Sequence, residues 1–429
     1  MPLSGTRTFV GFGFGAIQTG LFLHEAQQSG NFGRLVAAEV LPEVVQAVRA
    51  AGGLVTVNIA RADGVEAAQI GPVELLNPAD AADRARLIEA VAQADELATA
   101  VPGVEYYHSR GPDSLHQILA EGLLGKAQQA GPPAVLYTAE NHTQAAQTLQ
   151  NHLQEAISPA EQPAALARVQ LLNTVIGKMS RVVTDPAEIA ALQLAPLTPG
   201  GSRAMLVEAF NRILITQIQL DDFCRGITIF EEKADLQPFE EAKLYGHNAL
   251  HAVAGYLALA LKLPYMADLR QRPDVLAFTR AAALQECGAA LRHKHAGSDP
   301  LFSPDGFAAY TDDLLARMVN PFLRDTPGRV ARAPQRKLGW DDRLIGPIRL
   351  ARQAGLEPER LALGAAAALA TILPLSSRTL PEVEPLLRQM WAAAVPPPGE
   401  QAAVAALVRR GCEQFIQWQD SDFGELSTG

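Results

Sequence analysis

The feature that most constrains the fold is an alternation, over the first third of the chain, of short β-branched runs with segments of helical periodicity. The runs are TFVGFG (8–13), RLVAAEV (34–40), GLVTVNIA (53–60) and PAVLYTAEN (133–141). Strands that alternate with helices in this way are typical of α/β units around a mostly parallel sheet. From about residue 200 these runs almost disappear, and long amphipathic segments predict helices instead. Those segments are 202–220, 239–262, 272–292 and 305–323.

A proline- and glycine-rich stretch, APLTPGGS (195–202), lies where the pattern changes and predicts a domain boundary. With 429 residues the chain is long enough for two domains, each with its own core. We therefore predict an α/β N-terminal Rossmann-type domain over residues 1–198. A mostly α-helical C-terminal domain, which binds substrate, is predicted over residues 199–429.

Composition narrows the class of protein. The formal net charge of −10 argues against a nucleic-acid partner, whose binding surface would be basic. Three scattered cysteines (Cys224, Cys287 and Cys412) fit neither a disulfide framework nor a zinc site, which indicates a reducing cytoplasm. The apolar run 361–375 is too short to span a membrane, so we expect a buried helix there and no membrane partner. A monomer or a small homo-oligomer is expected.

The glycine-rich stretch FVGFGFGAIQTG (9–20) predicts a dinucleotide-binding loop between a strand and a helix. Gly13 would permit the tight turn, and Gly15 would let the backbone approach a pyrophosphate at the helix N-terminus, beside Ala16 and Ile17. The third position of the usual fingerprint holds Gln18 rather than glycine. A plain tight turn is therefore the alternative interpretation.

A candidate cofactor residue ends the second predicted strand. Glu39 lies about 20 residues beyond the glycines, where an acid can bind the hydroxyls of the adenosine ribose. The same carboxylate would repel a 2′-phosphate, so the sequence favours NAD over NADP. The alternative is a solvated residue at the end of a strand.

The helical segment KLYGHNALH (243–251) places polar side chains among residues suited to burial. At about 100° per residue, Asn248 and His251 lie roughly 60° apart, and Lys243 lies within an arc of about 140° of both. Oxidising an alcohol without a metal needs a base, and burial can lower the pKa of a lysine enough for that role. An amide can stabilise the oxyanion, and a histidine can hold a substrate hydroxyl. The alternative is a lysine at a helix start, with the asparagine and histidine hydrogen-bonded into packing.

The spacing K-x-x-x-x-N-x-x-H in this segment resembles the signature of the polyol-specific long-chain dehydrogenases, the mannitol dehydrogenase family. The resemblance extends over most of the chain. It includes FGFGAIQTG (12–20), ADELATAVPG (94–103), YTAENHTQAAQTL (137–149) and NPFLRDTPGRVARAPQRKLGWDDRLIGP (320–347). Two positions depart from the family pattern. Ala139 replaces a cysteine, and Gly177 with Lys178 replaces an aspartate–arginine pair.

Membership would imply zinc-independent hydride transfer, with a Rossmann domain binding NAD and a helical domain binding the substrate. By match of motif, Lys243 would be the general acid/base. Asn248, helped by Asn141, would polarise the carbonyl or alkoxide, and His251 would position the reacting oxygen. His247 falls at a variable position and is expected to pack or face solvent. No metal ligand is implied.

A basic segment, 329–343, bears on the substrate. Within it, RAPQRKL resembles a pattern of the phosphate-using branch, the mannitol-1-phosphate 5-dehydrogenases. Guanidinium groups are natural partners for a phosphate, and we predict that Arg332, Arg336, Lys337 and Arg343 bind one. The basic residues of this segment are Arg329, Arg332, Arg336, Lys337 and Arg343, and the alternative is a solvated loop paired with Asp325, Asp341 and Asp342.

The resulting hypothesis is an NAD-dependent oxidoreductase that interconverts a hexitol phosphate and a ketose phosphate, of the mannitol 1-phosphate and fructose 6-phosphate type. Its partner would be a small sugar phosphate or polyol. The alternatives are a hexuronate or free-ketose reductase of the same family, or a nucleotide-binding sensor without catalysis.

Overall fold

The computed structural model of the protein describes residues 5–109, 111–221 and 223–426. The chain forms two compact units, unit 1 over Met1–Leu236 and unit 2 over Gln237–Gly429. Unit 1 is α/β and unit 2 is helical in the residues described. The predicted fold class is confirmed.

Unit 1 contains two sheets. Their strands are β1 Arg7–Phe12, β2 Phe32–Ala38, β3 Val55–Ala60, β4 Val65–Ile70, β5 Val73–Leu76, β6 Glu96–Thr99, β7 Ala134–Thr138, β8 Val169–Ile176, β9 Ser180–Val183, β10 Ala204–Glu208, β11 Ile213–Thr216 and β12 Glu231–Lys233. Among the described residues, one sheet has eight strands in the order β12-β11-β8-β7-β6-β1-β2-β5, and the other has four in the order β4-β3-β10-β9. In the large sheet, the neighbouring strands β8, β7, β6, β1, β2 and β5 all run parallel, whereas β11 runs antiparallel to β8.

Helices surround these sheets and build unit 2. Those of unit 1 are α1 His24–Ser29, α2 Pro42–Ala50, α3 Ala81–Gln93, α4 Leu115–Gln128, α5 Ala145–Ala156, α6 Gln162–Leu166 and α7 Pro186–Ala191. Those of unit 2 are α8 Gln237–Glu241, α9 Ala249–Ala260, α10 Pro273–Ala281, α11 Gly288–Lys294, α12 Pro304–Met318, α13 Pro327–Val330, α14 Pro334–Lys337, α15 Gly346–Gln353, α16 Glu359–Leu369, α17 Leu380–Met390 and α18 Glu400–Asp420. π-helical turns occupy Gln18–Leu23, Ala242–Asn248 and Ala282–Cys287, and 3₁₀ turns occupy Val104–Tyr106, Met266–Gln271, Pro300–Phe302 and Pro321–Leu323.

The compact units divide later in the chain than the predicted boundary between residues 198 and 199. The segment 202–220, predicted to be helical, instead contributes β10 and β11 to unit 1. Strand β10 pairs with β3, and β11 pairs with β8, so both segments complete sheets begun earlier in the chain. All five residues of β10 are buried. A short run of this kind, apolar from Ala204 to Val207, cannot be told from a buried helix by periodicity alone.

The core of unit 2 forms where three helices pack closely. A Cβ added at Gly364 of α16 would lie 2.5 Å from Val253 of α9, and one added at Gly411 of α18 would lie 2.5 Å from the Ala362 backbone. These glycines let the helices approach more closely than a side chain would allow. The helix predicted near 361–375 is α16, which is buried from Leu361 to Leu369. Within the described ranges, no helix is both long enough and apolar enough to cross a membrane.

Candidate active site

The glycine-rich loop of unit 1 has the backbone that a dinucleotide site requires. Gly13 follows β1 with φ +88°, and a Cβ there would lie 2.6 Å from the carbonyl oxygen of Ala100. A Cβ added at Gly15 would meet nothing within 4 Å, so that position faces open space. Gly13, Gly15, Ala16 and Ile17 line a cavity of about 740 Å³. The loop therefore combines a forced turn with an open approach to the helix N-terminus.

The missing third glycine of the fingerprint has a structural explanation. In the usual fingerprint that glycine allows close packing between helix and strand. Here the Gln18 side chain is fully buried, and a Cβ added at Gly11 would lie 2.1 Å from its Nε2 atom. Gly11 on β1 thus makes the space that a glycine on the helix would otherwise provide.

Glu39 lies just beyond the end of β2 and lines the same cavity. Its Oε1 atom accepts a hydrogen bond of 2.9 Å from the backbone N–H of Leu41, which orients the carboxylate. Part of the cavity wall is apolar and exposed and includes Val40 and Tyr106. A flat ring of a dinucleotide could pack against such a surface. The residues present fit a dinucleotide, and the role of Glu39 toward its ribose remains a prediction.

In unit 2, the segment that carries the lysine and asparagine is not a regular α-helix. Helix α8 continues into the π turn Ala242–Asn248, and α9 follows directly. In an α-helix, residues five apart diverge by about 140°. The i→i+5 hydrogen bonding of a π turn brings such residues toward one face. The five-residue spacing of Lys243 and Asn248 therefore suits this turn, and such turns are frequent at functional sites.

Lys243 is partly buried in unit 2. Burial lowers the pKa of its ammonium group to about 8, and the nearby positive charge of Arg343 acts in the same direction, whereas Glu240 opposes them. A lysine in this state can exchange a proton near neutral pH. Its neighbour His247 is buried, so burial holds the pKa of that imidazole well below its usual range.

His251, in the first turn of α9, faces a buried carboxylate. Its Nε2 atom lies 3.4 Å from Oδ2 of Asp325, whose side chain is 6% exposed. Arg329 holds both oxygens of that carboxylate, because its Nε and Nη2 atoms each donate over 2.5 Å. Burial alone would raise the pKa of Asp325, but its interactions with His251 and Arg329 hold it well below its usual range. The sequence identified Asp325 only as a salt-bridge partner of the basic segment.

Two of the predicted catalytic residues of unit 2 and all four predicted phosphate-binding residues line one cavity of about 490 Å³, whereas Lys243 is not among its lining residues. Asn248 and His251 line it together with the basic side chains. Those are Arg329, Arg332, Arg336, Lys337 and Arg343. The loop bends at Ala333, whose φ of +56° is unusual for a residue with a side chain. Asn248 of the π turn and His251 of α9 therefore share a wall with the basic segment, which lies more than 75 positions later in the sequence.

The basic side chains of this cavity differ in their partners. Arg343 donates to Oδ1 of Asp342 over 2.8 Å, and Arg336 lies 3.9 Å from the same carboxylate with its side chain 63% exposed. Arg332 is exposed and donates to the carbonyl of Arg329 over 3.2 Å. Arg329 and Arg343 therefore form close salt bridges, Arg336 forms a long one, and Arg332 and Arg336 present exposed guanidinium groups.

Lys337 is placed differently from the arginines. Its side chain is buried, and its ammonium donates to the carbonyl oxygens of Val330 and Arg332. Burial lowers its pKa to about 8, with Arg343 and Arg336 adding to the effect. Lys337 lines the cavity but also holds the basic loop in shape.

Asn141 belongs to unit 1, where it is exposed just after β7. The preceding residue, Glu140, is buried and accepts hydrogen bonds from Thr99 Oγ1 (2.8 Å), from the Val101 N–H (2.9 Å) and from the Tyr107 hydroxyl. This network fixes the backbone that presents Asn141. Ala139, at the position of the family cysteine, lines the dinucleotide cavity.

The other departure from the family pattern also has a structural role. Lys178 is buried, and its ammonium donates to Phe210 O over 2.9 Å and to Asn211 Oδ1 over 2.8 Å. Asn211 in turn donates to Glu25 of α1 over 2.8 Å. The lysine thus ties the segment after β8 to the helix that follows the glycine loop. In the part of the chain that the structure describes, no group of three or more His, Cys, Asp or Glu could hold a metal ion.

Comparison with known proteins gives consistent matches along both units. The model of the mannitol dehydrogenase Rossmann domain matches residues 7–219, and that of the mannitol dehydrogenase C-terminal domain matches residues 235–408. The chain is 31% identical over 322 residues to mannitol-1-phosphate 5-dehydrogenase of Bacillus licheniformis, covering 74% of this chain and 76% of that protein.

Two solved structures share the fold. The ternary complex of Pseudomonas fluorescens mannitol 2-dehydrogenase with NAD and D-mannitol matches with a TM-score of 0.69 and 16% identity, over 99% of this chain and 94% of that chain. A D-sorbitol dehydrogenase in substrate-free form matches with a TM-score of 0.75 and 13% identity, over 96% and 95%. At these identities the structural likeness shows the fold alone.

Proposed function

The chain belongs to the mannitol dehydrogenase family, and from that premise we propose that it is an NAD-dependent dehydrogenase of a hexitol phosphate. Mannitol 1-phosphate and fructose 6-phosphate are the first substrate pair to test. The observation that carries this proposal is the cavity of unit 2, where Asn248 and His251 share a wall with the basic side chains of the 329–343 segment. The relative from Bacillus licheniformis, a mannitol-1-phosphate 5-dehydrogenase, supports the same choice.

The charge of this cavity favours a phosphorylated substrate. Five basic residues line it, and two neighbouring carboxylates, Asp325 and Asp342, pair with some of them in the described part of the chain. Counting five positive and two negative charges leaves an excess of three, which is suited to a phosphate carrying close to two negative charges. A free polyol offers no charge to offset that excess. Arg332 and Arg336 have exposed guanidinium groups, which would contact the substrate phosphate first.

NAD is the proposed cofactor, held in the cavity of unit 1. Gly13 and Gly15 would face its pyrophosphate at the start of the helix, and Glu39 would accept hydrogen bonds from its ribose. The matching mannitol 2-dehydrogenase structure contains NAD together with D-mannitol. When bound, NAD supplies the acceptor for the hydride that leaves the alcohol carbon.

The side chains of unit 2 would handle the proton and the oxygen. In alcohol oxidation, the neutral amine of Lys243 would take the proton of the substrate hydroxyl, and in ketone reduction its ammonium would return it. Asn248 would donate a hydrogen bond to the oxygen as negative charge develops. His251 would hold a substrate hydroxyl in place. No step in this scheme needs a metal ion.

The test is NADH oxidation against a panel of ketoses, ketose phosphates and hexuronates, with the enzyme dialysed against EDTA. We expect turnover with fructose 6-phosphate that EDTA does not abolish. Turnover with a hexuronate or a free ketose alone would favour the nearest alternative within the family. NADH binding without turnover of any sugar would indicate a sensor. Activity lost in EDTA and restored by Zn²⁺ or Mg²⁺ would refute the metal-free mechanism.

A further inference from the structure

We propose that Asp325 is a positioning residue that fixes the tautomer of His251 and couples it to Arg329, an inference that rests on the proposed function. Asp325 would act through two neighbours and would not touch the substrate itself. Its carboxylate lies between His251, which is proposed to hold a substrate hydroxyl, and Arg329, one of the basic residues that line the cavity of unit 2. One buried group would thereby connect the two ends of the bound sugar phosphate.

The backbone around Asp325 fixes the direction of its side chain. The preceding residue, Arg324, has a left-handed conformation with φ +43°, and its guanidinium lies 4.6 Å from the ring centre of Tyr265. The carbonyl oxygen of Asp325 accepts a 2.8 Å hydrogen bond from the N–H of Met266. A non-glycine residue in this conformation persists only where its surroundings hold it. Here those contacts turn the Asp325 carboxylate inward.

Both oxygens of the Asp325 carboxylate lie close to basic side chains. Arg329 donates to Oδ1 and to Oδ2 over 2.5 Å each, which is the paired geometry that holds a carboxylate most firmly. Oδ2 is also the oxygen that lies 3.4 Å from Nε2 of His251. Arg329 and His251 therefore share one carboxylate, with Oδ2 close to both.

The chemistry of the pair determines where the histidine proton lies. Nε2 of His251 is buried, and among the described residues it has no hydrogen bond of good geometry. An ionised carboxylate only accepts, so the stable arrangement places a proton on Nε2 and directs it to Asp325. Nδ1 then keeps its lone pair for a substrate hydroxyl. Catalytic hydrogen bonds are often long without substrate and shorten on binding, which fits the distance of 3.4 Å.

Two substitutions distinguish the contact of Asp325 with His251 from its contact with Arg329. Asp325→Asn is close in size but removes the charge, and we expect kcat for fructose 6-phosphate reduction to fall about 10- to 100-fold, as when a histidine loses its orienting partner. Arg329→Gln leaves the carboxylate beside His251, so we expect a raised KM for fructose 6-phosphate with a smaller change in kcat. Asp341→Asn is the matched control, because that exposed carboxylate pairs with Arg349 instead and should behave as wild type.

A spectroscopic measurement gives a readout that a purely structural role would not move. In the full-length enzyme with ¹⁵N-labelled histidine, the His251 resonances, assigned with His251→Gln, should show the Nε2–H tautomer. They should keep it in Arg329→Gln and lose it in Asp325→Asn. A wild-type His251 protonated at Nδ1 alone would overturn the proposal, even if Asp325→Asn failed to fold. An Asp325→Asn enzyme with wild-type kcat and unchanged His251 resonances would overturn it too.

The same experiments distinguish failure of the inference from failure of the proposed function. Wild-type enzyme that turns over no sugar phosphate would refute the function. The tautomer of His251 in that enzyme would still decide whether Asp325 orients it.

Discussion

At the scale of single residues, the side chains proposed to act are held in unusual states by their surroundings. Burial and the charge of Arg343 lower the pKa of Lys243 to about 8, so both protonation states are accessible under ordinary conditions. Arg343 also lines the cavity of unit 2 that holds the basic side chains, called here the cationic cavity. The same positive charge that would attract a phosphate therefore also favours the neutral amine that alcohol oxidation needs.

This state of Lys243 predicts opposite pH profiles for the two directions of the reaction. Alcohol oxidation needs the neutral amine, so its kcat/KM should rise with pH through about 8 and then level off. Ketone reduction needs the ammonium, so its rate should fall over the same interval. Lys243→Ala should lower kcat by about 10²- to 10⁴-fold without weakening NADH binding measured by fluorescence titration.

Lys294→Ala provides the control for this substitution. Lys294 is exposed on α11 and pairs with Glu241 over 2.7 Å, away from the residues that line the cavity. That variant should keep the wild-type rate and pH profile. If Lys243→Ala did the same, the lysine would have only a structural role in its helix.

Glu39 predicts the choice of cofactor. Its carboxylate lines the cavity of unit 1, where it would repel a 2′-phosphate, so the wild-type enzyme should prefer NADH to NADPH. Glu39→Ala should narrow that preference, measured as the ratio of kcat/KM values for the two cofactors. Glu43→Ala, which changes an exposed acid on α2 that does not line the cavity, should leave the ratio unchanged. A wild-type enzyme that used both cofactors equally would refute the role of Glu39.

At the scale of elements, the π turn and the basic loop contribute geometry that sequence periodicity does not contain. The predicted cluster of Lys243, Asn248 and His251 assumed a regular helix, whereas the structure winds 242–248 as a π turn. The residue types indicated the chemistry, but no local sequence pattern indicated the π turn. Likewise, the basic residues of 329–343 were recognisable, whereas the engagement of Lys337 with two backbone carbonyls depends on how the loop folds.

The exposed guanidinium of Arg336 predicts a specific kinetic change. Arg336→Ala should raise KM for fructose 6-phosphate by about 10-fold, the loss of one charge-assisted hydrogen bond, with a smaller effect on kcat. KM for a free ketose should not change. Arg388→Ala, at an exposed arginine of α17 that pairs with Glu384, is the matched control. Equal changes in KM for the phosphorylated and free sugars would argue against a phosphate contact.

A buried carboxylate in the large sheet predicts a pH dependence of stability. Glu96 of β6 is fully buried and accepts hydrogen bonds from Tyr137 and from the N–H groups of Gly226 and Ile227. Burial raises its pKa from 4.5 to about 7, although those hydrogen bonds oppose the change. Because the folded pKa is the higher one, its contribution is complete below about pH 4.5 and is lost as pH rises through 7.

Glu96→Gln isolates that contribution, because the amide oxygen can still accept while no charge forms. Between pH 4.5 and 7, the free energy of unfolding of wild type should fall relative to the variant, by an amount on the order of 3 kcal/mol. Denaturant unfolding at a series of pH values measures the difference. Parallel pH profiles for the two proteins would show that Glu96 does not titrate in this range.

At the scale of the whole molecule, two units divide the proposed tasks of binding a cofactor and handling a substrate. The alternation of strands and helices predicted the α/β unit, and the loss of strand signals predicted the helical one. The compact units divide after Leu236 rather than after residue 198, because β10 and β11 pair with strands far earlier in the chain, and such long-range pairing leaves no local signal. For the same reason Asp325 was not recognised as the partner of His251, since 325 and 251 come together only in the fold.

The central claim, that this is a dehydrogenase of phosphorylated sugars, is tested most directly by comparing fructose 6-phosphate with fructose. The measurement is kcat/KM for NADH-dependent reduction of each, under the same conditions and at low ionic strength. We predict a preference for the phosphorylated sugar of at least about 100-fold, the value of two charge-assisted hydrogen bonds. Equal or higher kcat/KM for fructose would contradict the account and assign the cationic cavity another role.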